Sequence, residues 1–257
     1  MTIVFPEFIR LPIQKIANKL GYYIAPFSAI GFLQDELEIV KYVKPYTVTP
    51  FTSTKSLIEA TKYIIKNNIQ GSFIECGVWR GGSIMTIIKT LQQLGIQDRE
   101  IYLFDTFEGM SQPTKYDARL DGISAIEGIK KKTDFTKVSL NDVKKNVLGT
   151  GYDESLIHFV KGKVEETLPK TMIKEIALLR LDTDWYESTK CELEHLFPKL
   201  TNNGVIIIDD YDAWMGSRKA VDEYIKNNNI AILLHRIHPS GARIGIKQQF
   251  TKTENEL

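Results

Sequence analysis

The sequence predicts a doubly wound α/β fold with a mostly parallel, seven-stranded sheet and an antiparallel C-terminal edge. Three observations carry this reading. Apolar runs of five or six residues, such as Ser72–Cys76 and Ile176–Leu181, alternate with segments of helical periodicity, as fully buried parallel strands and their crossover helices do. Four such runs end in acids: Glu75, Asp105, Asp182 and the pair Asp209–Asp210. Finally, a Pro-Ser-Gly turn joins the last two strand-like runs, 230–237 and 243–248, in the manner of a hairpin.

Taken in order, residues 1–50 are rich in aromatics and prolines, with short helices expected over 8–20 and 35–43. They form an N-terminal arm or cap suited to packing on the main domain or on a second subunit, which would make a homo-oligomer. Residues 46–53 are a loop, after which Ser53 or Thr54 caps a helix to about residue 67, with Leu57, Ile58, Tyr63, Ile64 and Ile65 on its apolar side. The first strand is 72–76, followed by a helix over 83–94 in which Ile84, Ile87, Ile88 and Leu91 recur at helical spacing. The second strand, 100–105, leads into residues 106–138, which are polar, weakly periodic and long for a plain connection, hence an expected lid. Ser139 caps a helix to Leu148, 156–160 is the third strand and 176–181 the fourth. A helix over 188–200, the fifth strand 204–208 and a helix over 217–227 complete the alternation. Residues 51–257 thus form one domain, with no internal repeat and no second core.

Composition narrows the function classes. The chain has 257 residues, 43% hydrophobic and 25% charged, and a net charge of +1, which gives no global footprint for nucleic acid. No apolar run approaches the ~20 residues of a membrane span, and Pro6, Glu7 and Arg10 break the N-terminal apolar stretch where a secretory signal would be continuous. The two cysteines, Cys76 and Cys191, suggest neither a disulfide framework nor a metal spacing. They read as small buried hydrophobes in a reducing, cytoplasmic setting.

The chemistry concentrates at the strand ends, because in an open α/β sheet these ends line the ligand crevice. Glu75 precedes a glycine-interrupted turn, G-V-W-R-G-G-S, that opens a helix at Gly82 and Ser83. A dinucleotide site wants G-x-G-x-x-G so that backbone can approach a pyrophosphate. A carboxylate and a bulky Trp79 beside two phosphates are unfavourable, whereas both suit a cofactor carrying an ammonium and a sulfonium, S-adenosylmethionine. Asp105 stands where a carboxylate can accept a ribose diol, with a cap for Thr106 onward as the alternative. Asp182 falls near Asp209 and Asp210 on adjacent strands. Oxygen ligands without His or Cys suit Mg²⁺ or another hard cation, which leaves room for an acceptor with a vicinal diol. Capping and solvation of strand ends is the bland alternative, and Asp184 alone fits it equally well. His195 falls mid-helix and reads as packing; His235 and His238 near the final hairpin are weak candidates for acceptor contact.

These residues resemble the macrocin-type (TylF-like) sugar O-methyltransferases, through E-C-G-V-W-R-G-G-S at 75–83, F-D-T-F-E-G-M at 104–110, L-D-T-D-W-Y-E-S-T at 181–189, I-D-D-Y at 208–211 and K-A-V-D-E-Y at 219–224. The resemblance spans about 46–230 and implies a Rossmann-like class I methyltransferase fold using S-adenosylmethionine and Mg²⁺. It further implies that Glu75, Gly77, Gly81 and Ser83 hold the methionine portion, Asp105 with Thr106 the ribose side, and Gly162 to Val164 the adenine, with Thr47 closing over the cofactor. Asp182, Asp209 and Asp210 would bind the metal, and Asp182 would also act as general base. The expected acceptor is a small molecule or glycan. Two readings compete: a nucleotide-sugar glycosyltransferase using Asp182-x-Asp184 as its metal motif, and an inactive scaffold. The C-terminal strands lack the aromatic ending expected of the family, and residues 111–138 match nothing in it.

Overall fold

A computed structural model describes residue 16 and residues 32–129 and 136–248. The chain runs α1 (Gln34–Val43), α2 (Phe51–Lys66), β1 (Ser72–Cys76), α3 (Gly82–Gln93), β2 (Ile101–Asp105), α4 (Ala125–Ile129), α5 (Leu140–Leu148), β3 (Ile157–Lys161), α6 (Val164–Thr167), β4 (Ile176–Leu181), α7 (Tyr186–Leu196), β5 (Leu200–Ile208), α8 (Met215–Asn227), β6 (His235–Arg236) and β7 (Arg243–Ile246). Apart from Ile16, the helix expected over 8–20 lies outside the described residues, and with it the arm's expected role in assembly.

The strands form one sheet in the order β3-β2-β1-β4-β5-β7-β6, parallel except for β7, which is antiparallel to both its neighbours. All six residues of β4 are buried, as a central strand covered on both faces requires. One face packs against Ile39, Val40 and Val43 of α1, Leu57, Ile58 and Ile64 of α2, and Ile84, Ile87, Ile88 and Leu91 of α3. The other packs against Leu193 and Leu196 of α7 and Val221 of α8. Each such side chain stabilises the fold by roughly 1.5–3 kcal/mol. Helix α1 is therefore part of the core. Buried Glu36 fastens it to α2 by accepting from Lys55 (2.5 Å) and Lys62 (2.8 Å).

Strand order reverses between β1 and β4, so the crevice of a doubly wound sheet opens at the carboxyl ends of these two strands. The seven strands and the antiparallel edge are as expected from the sequence; several boundaries differ, each for a physical reason. Helix α2 starts at Phe51 behind Pro50, and Ser53 and Thr54 lie buried inside its first turns rather than capping it. Helix α7 ends at Leu196 because Pro198 forces a 3-10 turn over Phe197–Lys199, and β5 then begins at Leu200. Pairing in the final hairpin is limited to two residues of β6. Upstream, the Ile232 side chain lies over Gly245 of β7, and Leu234 O accepts from Arg243 Nη1 (3.0 Å). Buried Asp212 gathers Arg218 of α8, Arg236 of β6 and Arg243 of β7, and so ties the hairpin to the carboxyl edge. Among the described residues no helix is long and apolar enough to cross a membrane.

Candidate active site

Side chains alternate faces along a strand, and the register shows which ones meet. Glu75 pairs with Leu103 on one side and Arg180 on the other, and Arg180 pairs with Ile207. Two residues further along the same face come Asp105, Gly77, Asp182 and Asp209. One face of the carboxyl edge thus collects the acids Glu75, Asp105, Asp182 and Asp209, and Asp210 follows just past the end of β5.

The turn after β1 explains its glycines by contact. A Cβ on Gly77 (φ +85°) would lie 2.0 Å from the Asp182 carbonyl oxygen, so only glycine lets the ends of β1 and β4 touch. A Cβ on Gly82 would lie 2.5 Å from both Thr47 Cβ and Tyr46 O, so this glycine admits the segment before α2 to the helix start. Trp79 holds a left-handed conformation (φ 49°), a strained choice of the kind that clusters at functional turns. Asp105 ties the turn to β2: its Oδ2 accepts from Val78 N (2.6 Å) and Trp79 N (3.1 Å), and its Oδ1 from Phe107 N (2.7 Å).

Arg180, which sequence reasoning overlooked, is the centre of the acidic face. It is 2% exposed. Its Nη1 donates to Glu75 Oε1 (2.7 Å) and Asp182 Oδ2 (2.6 Å), and its Nη2 to Asp209 Oδ1 (2.8 Å). An arginine inside the apolar run I-A-L-L-R-L, two residues before Asp182, was the available signal. Glu75 is buried and its Oε2 has no partner. Burial pushes its carboxyl from 4.5 up to about 7, against the pull of Arg180. An acceptor so placed fits the ammonium of a methionine group.

Asp182, Asp209 and Asp210 each bring a carboxylate oxygen within 4.8 Å of the others. Burial raises Asp182 well above the usual carboxylate range; Arg180 opposes this while Asp209 and Asp210 add to it. Asp210 is raised likewise by burial and by Asp184 and Asp209, and its buried Oδ2 lacks a partner. An all-oxygen donor set with unanswered negative charge fits a hard divalent cation. Asp184, left-handed at φ 67°, accepts from Trp214 Nε1 (2.7 Å) and is pushed up to about 7 by burial and Asp182.

One open cavity is walled by Thr47, Glu75, Gly77, Ser83, Asp105, Thr106, Gly162, Val164 and Asp182 among others. Gly81 stands behind this wall, packed on Val147 of α5, and the three-carboxylate cluster meets the cavity at Asp182. None of His195, His235 and His238 lines it: His195 Nδ1 pairs with Cys191 O one helical turn back, and His238 with Ser240. Cys76 is buried as expected, and Cys191 half-buried.

Residues 111–119 form a clasp on this edge of the molecule. Ser111 O accepts from Trp185 Nε1 (2.9 Å), and Trp185 stands edge-on to Trp214. Buried Asp117 accepts from Tyr186 N (2.8 Å) at the start of α7, and Ala118 O from Met215 N (2.8 Å) at the start of α8. Both helices consequently begin two residues earlier than their sequences suggest. In the structure these residues of the expected lid rest against the starts of α7 and α8.

Comparison with known proteins gives this geometry a lineage. The family model described as macrocin-O-methyltransferase (TylF) matches residues 44–243. Demethyldecarbamoylnovobiocin O-methyltransferase of Streptomyces niveus is 30% identical over 198 residues, 76% of this chain and 74% of that protein. The 8-demethyl-8-(2,3-dimethoxy-alpha-L-rhamnosyl)-tetracenomycin-C 4'-O-methyltransferase of Streptomyces olivaceus is 30% identical over 196 residues, 76% of this chain and 74% of that one. Among solved structures, the O-methyltransferase NovP superposes with a TM-score of 0.72 at 27% identity, covering 79% of this chain and 83% of its own. The fold is that of the class I methyltransferases, and the chain belongs to the macrocin O-methyltransferase (TylF) family.

Proposed function

We propose that this O-methyltransferase takes its methyl group from S-adenosylmethionine and delivers it to a hydroxyl of a sugar, in a sugar-bearing natural product or a glycan. A hard divalent cation, Mg²⁺ by preference, would be held by Asp182, Asp209 and Asp210. The observation that carries the reading is the pairing of a buried, half-partnered Glu75 with a three-carboxylate cluster at one cavity. The sugar acceptor is supported by the Streptomyces olivaceus relative, named for a rhamnosyl-bearing tetracenomycin.

In this reading Glu75 accepts from the methionine ammonium, with Gly77, Gly81 and Ser83 shaping that end of the site. Asp105 and Thr106 flank the ribose, Gly162 and Val164 the adenine, and Thr47 covers them. S-adenosylmethionine supplies an electrophilic sulfonium methyl, and the cation supplies positive charge that acidifies a hydroxyl otherwise as weak as water, pKa ~15.7. Asp182 accepts the hydroxyl proton. Burial raises its basicity, and general-base catalysis contributes typically ~10²–10⁴ in rate. The Trp185–Trp214 pair and the 111–119 clasp brace the rim of the cavity at Ser111. The D-x-D glycosyltransferase reading loses its support, since Asp184 is turned to Trp214 and the family transfers methyl groups.

Calorimetry with S-adenosylhomocysteine and with Mg²⁺ tests the two ligands separately; no heat of binding for S-adenosylhomocysteine overturns the methyl-donor assignment. Asp182→Asn is expected to lower turnover by at least about 10² and to weaken Mg²⁺ binding. Full activity in excess chelator would remove the metal from the scheme.

A further inference from the structure

We infer that Arg180 is a positioning residue shared by two sites, one guanidinium that aims the cofactor-side carboxylate and the metal-side carboxylates at once. The inference rests on the proposed function above. Its ground is a geometry that a surface ion pair does not have. The side chain is 3% exposed, stands next to the carboxyl end of a wholly buried strand, and meets three carboxylates from β1, the end of β4 and the end of β5.

Removing charges from water is costly, and a buried ion group persists only where its hydrogen bonds are well satisfied. Here the satisfaction is selective. Arg180 engages Glu75 through Oε1 only, Asp182 through Oδ2 only and Asp209 through Oδ1 only. Each acid keeps its second oxygen for another partner, and for Glu75 that oxygen is buried with no partner in the protein. The planar fork also fixes the distances between the acids: Nη1 is common to Glu75 and Asp182, so the two sites are pinned to one atom. Asp105, on the same face, is held by backbone N–H groups and has no such link.

A guanidinium presents two donor edges in a rigid plane, whereas an ammonium is a single point. Arg180→Lys therefore keeps the charge and loses the fork. The expected result is that Arg180→Lys remains folded by circular dichroism and weakens both Mg²⁺ and S-adenosylhomocysteine binding, each by roughly 10–100-fold, the usual effect of removing a partner that orients a ligand. Glu75→Gln should weaken S-adenosylhomocysteine alone and Asp209→Asn should weaken Mg²⁺ alone, so the double loss is diagnostic of Arg180. A folded Arg180→Lys protein with wild-type affinity for either ligand overturns the inference. If Arg180→Lys does not fold, ¹⁵N spectra of the wild-type arginine side chains decide the matter. The most solvent-protected guanidinium signal should shift on adding Mg²⁺ alone and again on adding S-adenosylhomocysteine alone, and a signal that ignores either addition overturns the inference. Wild-type protein that binds neither ligand would refute the proposed function itself, a result distinct from every outcome above.

Discussion

Glu75 shows how one side chain can report on both folding and binding. Burial pushes its carboxyl from the ordinary 4.5 up to about 7 in the folded chain. Between these values the folded state holds a proton that the unfolded state has released, so stability of the ligand-free protein falls as pH rises through this window and levels off above it. An ammonium needs the ionised form, so S-adenosylhomocysteine affinity should climb with pH over the same range. Calorimetry and urea titration from pH 5 to 8 check both slopes, and Glu75→Gln should remove its share of each. The sequence made Glu75 legible because an acid before a glycine turn is a local pattern. Arg180 was harder to find, since its meaning lies in Asp209 and Glu75, which reach it only through strand register.

At the scale of elements, helix starts were the least legible feature, and the cause is specific. Trp185 and Trp214 occupy the N-cap positions of α7 and α8 without a side-chain cap of their own. The partners that answer these helix ends come from Asp117 and Ala118, far away in sequence. Asp117 fits only because residue 216 is glycine, where a Cβ would sit 1.9 Å from Asp117 Oδ1. Asp117→Ala should therefore cost about 0.5–2 kcal/mol, the range for a lost cap, and should speed proteolytic cleavage near residues 111–119. Gly216→Ala should reproduce the faster cleavage with Asp117 intact. Helix α1 offers a second case. Leu33 N and two lysines converge on buried Glu36, whose carboxyl lies near 2: burial works against ionisation, and the bonds from Lys55 and Lys62 more than offset it. A depressed value contributes stability above the unfolded pKa that is lost as pH falls toward 2. Glu36→Gln should lower the urea midpoint at pH 7 by an amount equivalent to roughly 1–3 kcal/mol, with the difference shrinking toward acid pH.

For the molecule as a whole, the alternation of strands and helices was enough to order the architecture, because buried parallel strands leave an unmistakable apolar signature. Alternation of faces then explains why four separate strand ends yield one site: Glu75, Asp105, Asp182 and Asp209 all fall on the same side of the sheet. What could not be read were the partners, since Arg180, Asp117 and Trp214 act across long stretches of chain. A site with this much uncompensated acid should be stabilised globally by what it binds. A ligand at a hundred times its dissociation constant adds ~2.7 kcal/mol, so the melting temperature should rise with Mg²⁺ and with S-adenosylhomocysteine. Differential scanning calorimetry checks this, and no rise with either would contradict the placement of both.

The 111–119 clasp also bears on how such enzymes can diversify. A segment that meets the cavity at Ser111 and also completes two helices cannot be exchanged freely, since a transplanted loop would leave two helix starts bare. Chimeras built to change acceptor choice should carry Asp117 and Gly216 together as one inherited unit, and vary the wall between those fixed points.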